Sequence, residues 1–109
     1  MASDDMHVVM YKILKYLYEC LKKGVEPNMQ MFDADALGVN ERYWTVIMQE
    51  LMERGYVAGF VTKQLGKDVK IIPKNPSVTM EGVEFILDNS MMKKAMDFIR
   101  EARDFIPLP

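Results

Sequence analysis

The sequence predicts an α+β domain, and three observations carry that prediction. An apolar stripe with helical spacing runs through residues 9–21. A very short helical stretch and a longer one-sided helix follow, with Gly38 between them. Two β-prone runs then flank Gly66, and further helical patterns close the chain.

The first helix has marked ends. Asp4 and Asp5 offer N-cap oxygens, Lys22 and Lys23 suit the negative end of the helix dipole, and Gly24 fits the position just past it. Met10, Ile13, Leu14, Leu17 and Leu21 repeat at three and four and form the expected buried stripe. Val9, Tyr16 and Cys20 widen it, and Tyr11 and Tyr18 add bulk further round. A helix this apolar is covered on more than one side, by the C-terminal helix or by another subunit.

Beyond Pro27, the alternation Met29-Gln30-Met31-Phe32 predicts a short strand. Asp33 is expected to cap a short helix over residues 34–37, which Gly38 stops. Asn40 caps the next helix, from Glu41 to about Arg54, with Gly55 at its end and Trp44, Ile47, Met48 and Leu51 facing inward. A strand over residues 56–63, a turn over residues 64–68 and a return over residues 69–72 make a hairpin, whose pairing Pro73 is expected to end. A polar loop over residues 74–77 leads to Thr79, the cap of a helix with Val83, Ile86 and Leu87 inward. Asp88-Asn89-Ser90 breaks that helix. Met92, Ala95, Met96, Ile99, Ala102 and Ile106 stripe a last one, which Pro107 stops. Short helix, tight turn, longer helix and hairpin, in that order, define a winged helix-turn-helix with a β-hairpin wing and C-terminal helices. The expectation is a single winged-helix domain over residues 1–109.

Composition narrows the functional classes. Half of the 109 residues are apolar, 28% are charged and the net charge is −2, so whole-chain basicity offers no argument for nucleic acid. Cys20 is the only cysteine, which excludes an internal disulfide and suits a reducing compartment. No apolar run approaches the roughly 18 to 20 residues of a membrane span, and no leader pattern opens the sequence, so a cytoplasmic protein is expected. Of eleven methionines, ten recur near the apolar stripes, as fillers of the core or as an adaptable binding surface.

Several segments carry a resemblance to a known family. They are Tyr11-Lys12-Ile13-Leu14-Lys15, Ala36-Leu37-Gly38-Val39 and Gly55-Tyr56-Val57-Ala58-Gly59. The most specific is Val78-Thr79-Met80-Glu81-Gly82-Val83-Glu84-Phe85, followed by Leu87-Asp88-Asn89-Ser90 and Lys93-Lys94-Ala95. In these the chain resembles the YjcQ family over nearly its whole length. The resemblance implies a winged-helix-like fold and a setting in bacterial, phage and prophage genes. It transfers no catalytic, cofactor or binding residue.

Enzymatic readings find no support in the residues. His7, the only histidine, stands thirteen positions from Cys20 on one helix, roughly 20 Å along its axis, so the two cannot act as base and nucleophile. Asp33 and Asp35 fit helix-start capping better than metal binding. No phosphate loop, zinc-ligand spacing or nucleophile elbow is present, so no enzyme and no cofactor or metal are expected.

Double-stranded DNA is one candidate partner. The helix that would enter the major groove presents Arg42, Tyr43, Thr45 and Gln49, with Arg42 suited to guanine, Gln49 to adenine and the other two to phosphates. Glu41 and Glu50 oppose a polyanion, and residues 24–55 hold six acids against two bases, a balance of −4. Residues 56–79 reverse the sign: Lys63, Lys67, Lys70 and Lys74 stand against Asp68 alone, a balance of +3. These lysines either grip a phosphate backbone or blunt an exposed strand edge. Two readings therefore stay open: a regulatory nucleic-acid-binding protein that uses the wing, and a protein-interaction module that meets a protein partner. A homodimer through the first and last helices fits either, because Tyr11, Tyr18, Phe98 and Phe105 exceed the needs of one small core.

Overall fold

The computed structural model describes residues 5–88, and the expected last helix lies outside them. The described elements run α1 (Met6–Lys23), a 3₁₀ turn (Met29–Met31), α2 (Ala34–Leu37), α3 (Glu41–Glu53), β1 (Val57–Leu65), β2 (Asp68–Val78) and α4 (Met80–Leu87). Among the described residues the architecture is α+β: helices and one two-stranded antiparallel hairpin. None of the described helices is long and apolar enough to cross a membrane.

The core lies where α1 packs on α3, β2 and α4. Val9, Ile13, Leu14 and Leu17 from α1 meet Ile47, Met48 and Leu51 from α3, with Phe60, Ile71 and Ile86 closing the sides. The inward residues expected for α3 are all buried. Trp44 also satisfies its one polar atom: Nε1–H donates to the Phe32 carbonyl at 2.8 Å in the interior. Met10 and Met48 are core residues, while Met6, Met29 and Met52 pack on its margin.

α1 is covered on several sides, as its composition requires. Val8, Val9, Met10, Tyr11 and Lys12 are buried in succession. Tyr11, at 3% exposure, belongs to this chain's own core, and burial raises its phenol pKa. Glu19 is buried between Lys15 at 2.8 Å and Lys22 at 3.0 Å. Burial alone raises its pKa, but hydrogen bonds from the two lysines outweigh it, and the carboxyl titrates below the ordinary range.

Several expectations are corrected. Leu21 is 56% exposed and opens a run of exposed residues over 21–26. Asp5 stands at the N-cap of α1 but makes no side-chain cap bond. Met29–Met31 form a 3₁₀ turn, not a strand: Asn28 Oδ1 accepts from the Gln30 N–H and curls the chain, while the Asn28 N–H donates to Tyr16 Oη.

The helix turn follows its sequence signals. Asp33 Oδ1 accepts from the Ala36 N–H at 2.9 Å, and Asn40 Oδ1 accepts from the Tyr43 N–H at 2.8 Å. Pro73 does not end the pairing. It stands opposite Phe60 in β2, and the ladder resumes at Ala58↔Ser77 and Val57↔Val78. Between these pairs Gly59 alone faces residues 74–76. Its φ is +83°, and any Cβ there would lie 1.8 Å from the Asn75 carbonyl oxygen. The expected polar loop is therefore a bulge in a continuous strand.

Thr79 ties three elements together. Its N–H donates to the Tyr56 carbonyl, its hydroxyl donates to the Gly55 carbonyl, and the same oxygen caps Gly82 N–H in α4. Gly82 and Ile86, four apart, mark the buried line of α4. Leu87 lies about 100° from Ile86 on the helix and is 55% exposed, contrary to expectation, while Val83 is half-buried.

Candidate nucleic-acid interface

The hairpin's turn is tighter than the sequence reading had it. Leu65 pairs with Asp68, so Gly66-Lys67 form a two-residue loop with Gly66 at positive φ in its first central position. The Gln64 side-chain amide donates to the Gly66 carbonyl at 2.9 Å and braces the turn.

This register fixes what each face carries, because directly paired residues share a face. Phe60, Thr62 and Gln64 alternate with Val61, Lys63 and Leu65 along β1. Phe60 and Ile71 are buried, so their face is the inner one. The outer face holds Val61 opposite Ile72, Lys63 opposite Lys70, and Leu65 opposite Asp68. The Cβ atoms of a direct pair lie about 4.5–5.5 Å apart, which sets two ammonium groups over one patch of strand. Lys67 sits in the loop beyond them. Lys63, Lys67, Lys70 and Lys74 are all exposed, and none makes an ion pair among the described residues. Like charges set directly opposite destabilise a hairpin, so an anion held between Lys63 and Lys70 relieves a cost the fold carries without it.

The α3 side divides the residues expected there. Arg42, Thr45 and Gln49 fall at i, i+3 and i+7 and share one face; Arg42 is exposed, and the other two are half-buried. Tyr43 does not join them. It is half-buried and packs against the core. Glu50 binds Arg54 at 2.6 Å, which leaves Arg42 as the one cation of residues 24–55 outside an ion pair among the described residues. Glu41 and Glu53 are exposed, also without an ion pair there.

Two features were missed in sequence. Glu53 lies eleven residues after Arg42 and on its line, which helical spacing alone shows. The Lys63–Lys70 pairing was legible from Gly66, once it is given the first central position of a two-residue loop.

The other chemistry-bearing residues stay apart. His7 is exposed in the first turn of an unbroken α1, and Cys20 is buried near its far end. Asp33 is engaged as a cap. Among the described residues, no group of three or more His, Cys, Asp or Glu is placed to hold a metal ion.

Fold and surface together define a small α+β protein whose hairpin carries a basic outer face. A family model described as YjcQ protein matches residues 11–105, and the chain belongs to that family. No curated protein and no solved structure matches it.

Proposed function

We propose that this protein is a non-enzymatic winged-helix protein that binds nucleic acid in a regulatory role, with the β1–β2 hairpin as its wing. The order α2, Gly38, α3, hairpin supports the winged helix-turn-helix reading. The observation that carries the binding reading is the directly opposed, unneutralised pair Lys63–Lys70, with Lys67 at the tip. Such a group suits phosphate oxygens, which position a protein on a duplex. Arg42 on α3 supplies a further cation, with Thr45 and Gln49 beside it.

The test is a titration of labelled duplex DNA at low and at physiological salt. The variant K63E/K67E/K70E is run in parallel, and all three positions are exposed, so the fold is retained. The expected result is binding by the native chain that the variant loses. Binding unchanged by the triple reversal overturns the reading, and so does no binding at low salt. One observation favours a protein partner instead: Val61 and Leu65 are exposed beside the lysines on the outer face. A chain that leaves DNA unbound at low salt supports that second reading.

A further inference from the structure

We infer that the ligand is duplex DNA held through its phosphate backbone without base readout, Glu41 and Glu53 keeping α3 off the groove. The inference rests on the nucleic-acid reading above and narrows it.

Base readout needs free donors and acceptors along the helix that meets the groove. The outermost line of α3 runs Arg42, Val46, Gln49, Glu53, at i, i+4, i+7 and i+11. Arg42 alone is an exposed donor there. Val46 is exposed and apolar, and Gln49 is half-buried. Arg54, the other cation of this helix end, is held by Glu50. Glu41 opens the helix and Glu53 closes it. Both are exposed and without an ion pair among the described residues; Glu53 stands on this line and Glu41 about 100° round from Arg42 at its start, so a polyanion laid along the helix approaches a carboxylate near each end.

The wing has the opposite character. Lys63, Lys67, Lys70 and Lys74 face solvent with Asp68 as the one acid among them, and contacts from lysine to phosphate carry no sequence information. Single strands are a poor fit. They are held on aromatic platforms, and every aromatic ring among the described residues is buried or half-buried.

The experiment measures anisotropy with the full chain on three probes: an A·T-rich duplex, a G·C-rich duplex of the same length, and one single strand. The two duplexes are expected to bind within about threefold of each other, and the single strand at least about tenfold more weakly. R42A/Q49A leaves the ratio between duplexes unchanged. E41Q/E53Q tightens both duplexes by roughly threefold or more, because two repelling charges are gone. E53Q alone tightens them in part and controls for any loss of helix stability at Glu41, which sits in the first turn of α3. A strong preference between duplexes that R42A/Q49A abolishes overturns the inference, as does a single strand bound as tightly as a duplex. Failure of both glutamate variants to tighten binding overturns the role given to the carboxylates. In each of these results DNA is still bound, so the broader reading survives. Absence of binding to any probe at low salt removes the broader reading and this one together.

Discussion

Gly59→Ala is expected to disrupt the base of the wing, and Gly66→Ala is its internal control. Both glycines have positive φ, +83° and +63°, so each alanine carries a backbone cost of about 1–2 kcal/mol. At Gly66 nothing lies within 4 Å of the new methyl, and the cost stops there. At Gly59 the methyl falls 1.8 Å from the Asn75 carbonyl oxygen and 2.3 Å from its carbon. Both are backbone atoms, so relief requires β2 to retreat by more than an ångström. That retreat opens the pairs Ala58↔Ser77 and Val57↔Val78 and exposes Val57 and Val78, both buried. Fully exposing one such valine costs about 1.5–3 kcal/mol, so the total for G59A is about 2.5–5 kcal/mol. Urea denaturation followed by circular dichroism measures both variants against the native chain. Equal losses for G59A and G66A, within about 0.5 kcal/mol, refute the bulge geometry on which the wing's register rests.

Other expected outcomes follow from single contacts. Trp44→Phe removes the donor to the buried Phe32 carbonyl and is expected to cost about 1–3 kcal/mol by denaturant titration. Thr79→Val removes both the cap on Gly82 N–H and the bond to the Gly55 carbonyl, with an expected loss of about 1–2 kcal/mol and earlier hydrogen exchange in α4. Glu19 has a folded pKa below its ordinary value, so its stabilisation is complete above about pH 4.5 and is lost as the pH falls through the lower folded value. Glu19→Gln is therefore expected to flatten the acid limb of the stability curve.

Much of this was legible in the sequence because its signals were local. Asp33, Asn40 and Thr79 announce their helices by cap chemistry, and all three caps form. Trp44, Ile47, Met48 and Leu51 announce a buried face by spacing, and all four are buried. The failures came where distant parts of the chain decide the outcome. Four alternating residues after Asn28 suit a strand, but among the described residues no strand pairs with them, and the Asn28 side chain takes the chain into a 3₁₀ turn. Pro73 suits a strand end, yet Gly59 across the ladder makes room for the bulge that lets pairing resume. Gly82 gave no packing signal, although it lies in the segment that carries the family resemblance. Its missing side chain lets α4 approach the Tyr56 carbonyl, where a Cβ would sit at 2.3 Å, and only the packed structure displays that approach. At the candidate interface the residue types were legible, but the pairing of Lys63 with Lys70 and the turning of Tyr43 toward the core depend on register and packing.

The central claim is that wing lysines hold a phosphate backbone, and the salt dependence of duplex binding tests it most directly. Three lysine contacts at Lys63, Lys67 and Lys70 predict a slope of log K against log salt near −2.7, or roughly a 40-fold loss between about 50 and about 200 mM. Replacing Lys63 and Lys70 together is predicted to bring the slope to about −1. A slope that does not change when those two lysines are removed, or binding indifferent to salt, contradicts the claim.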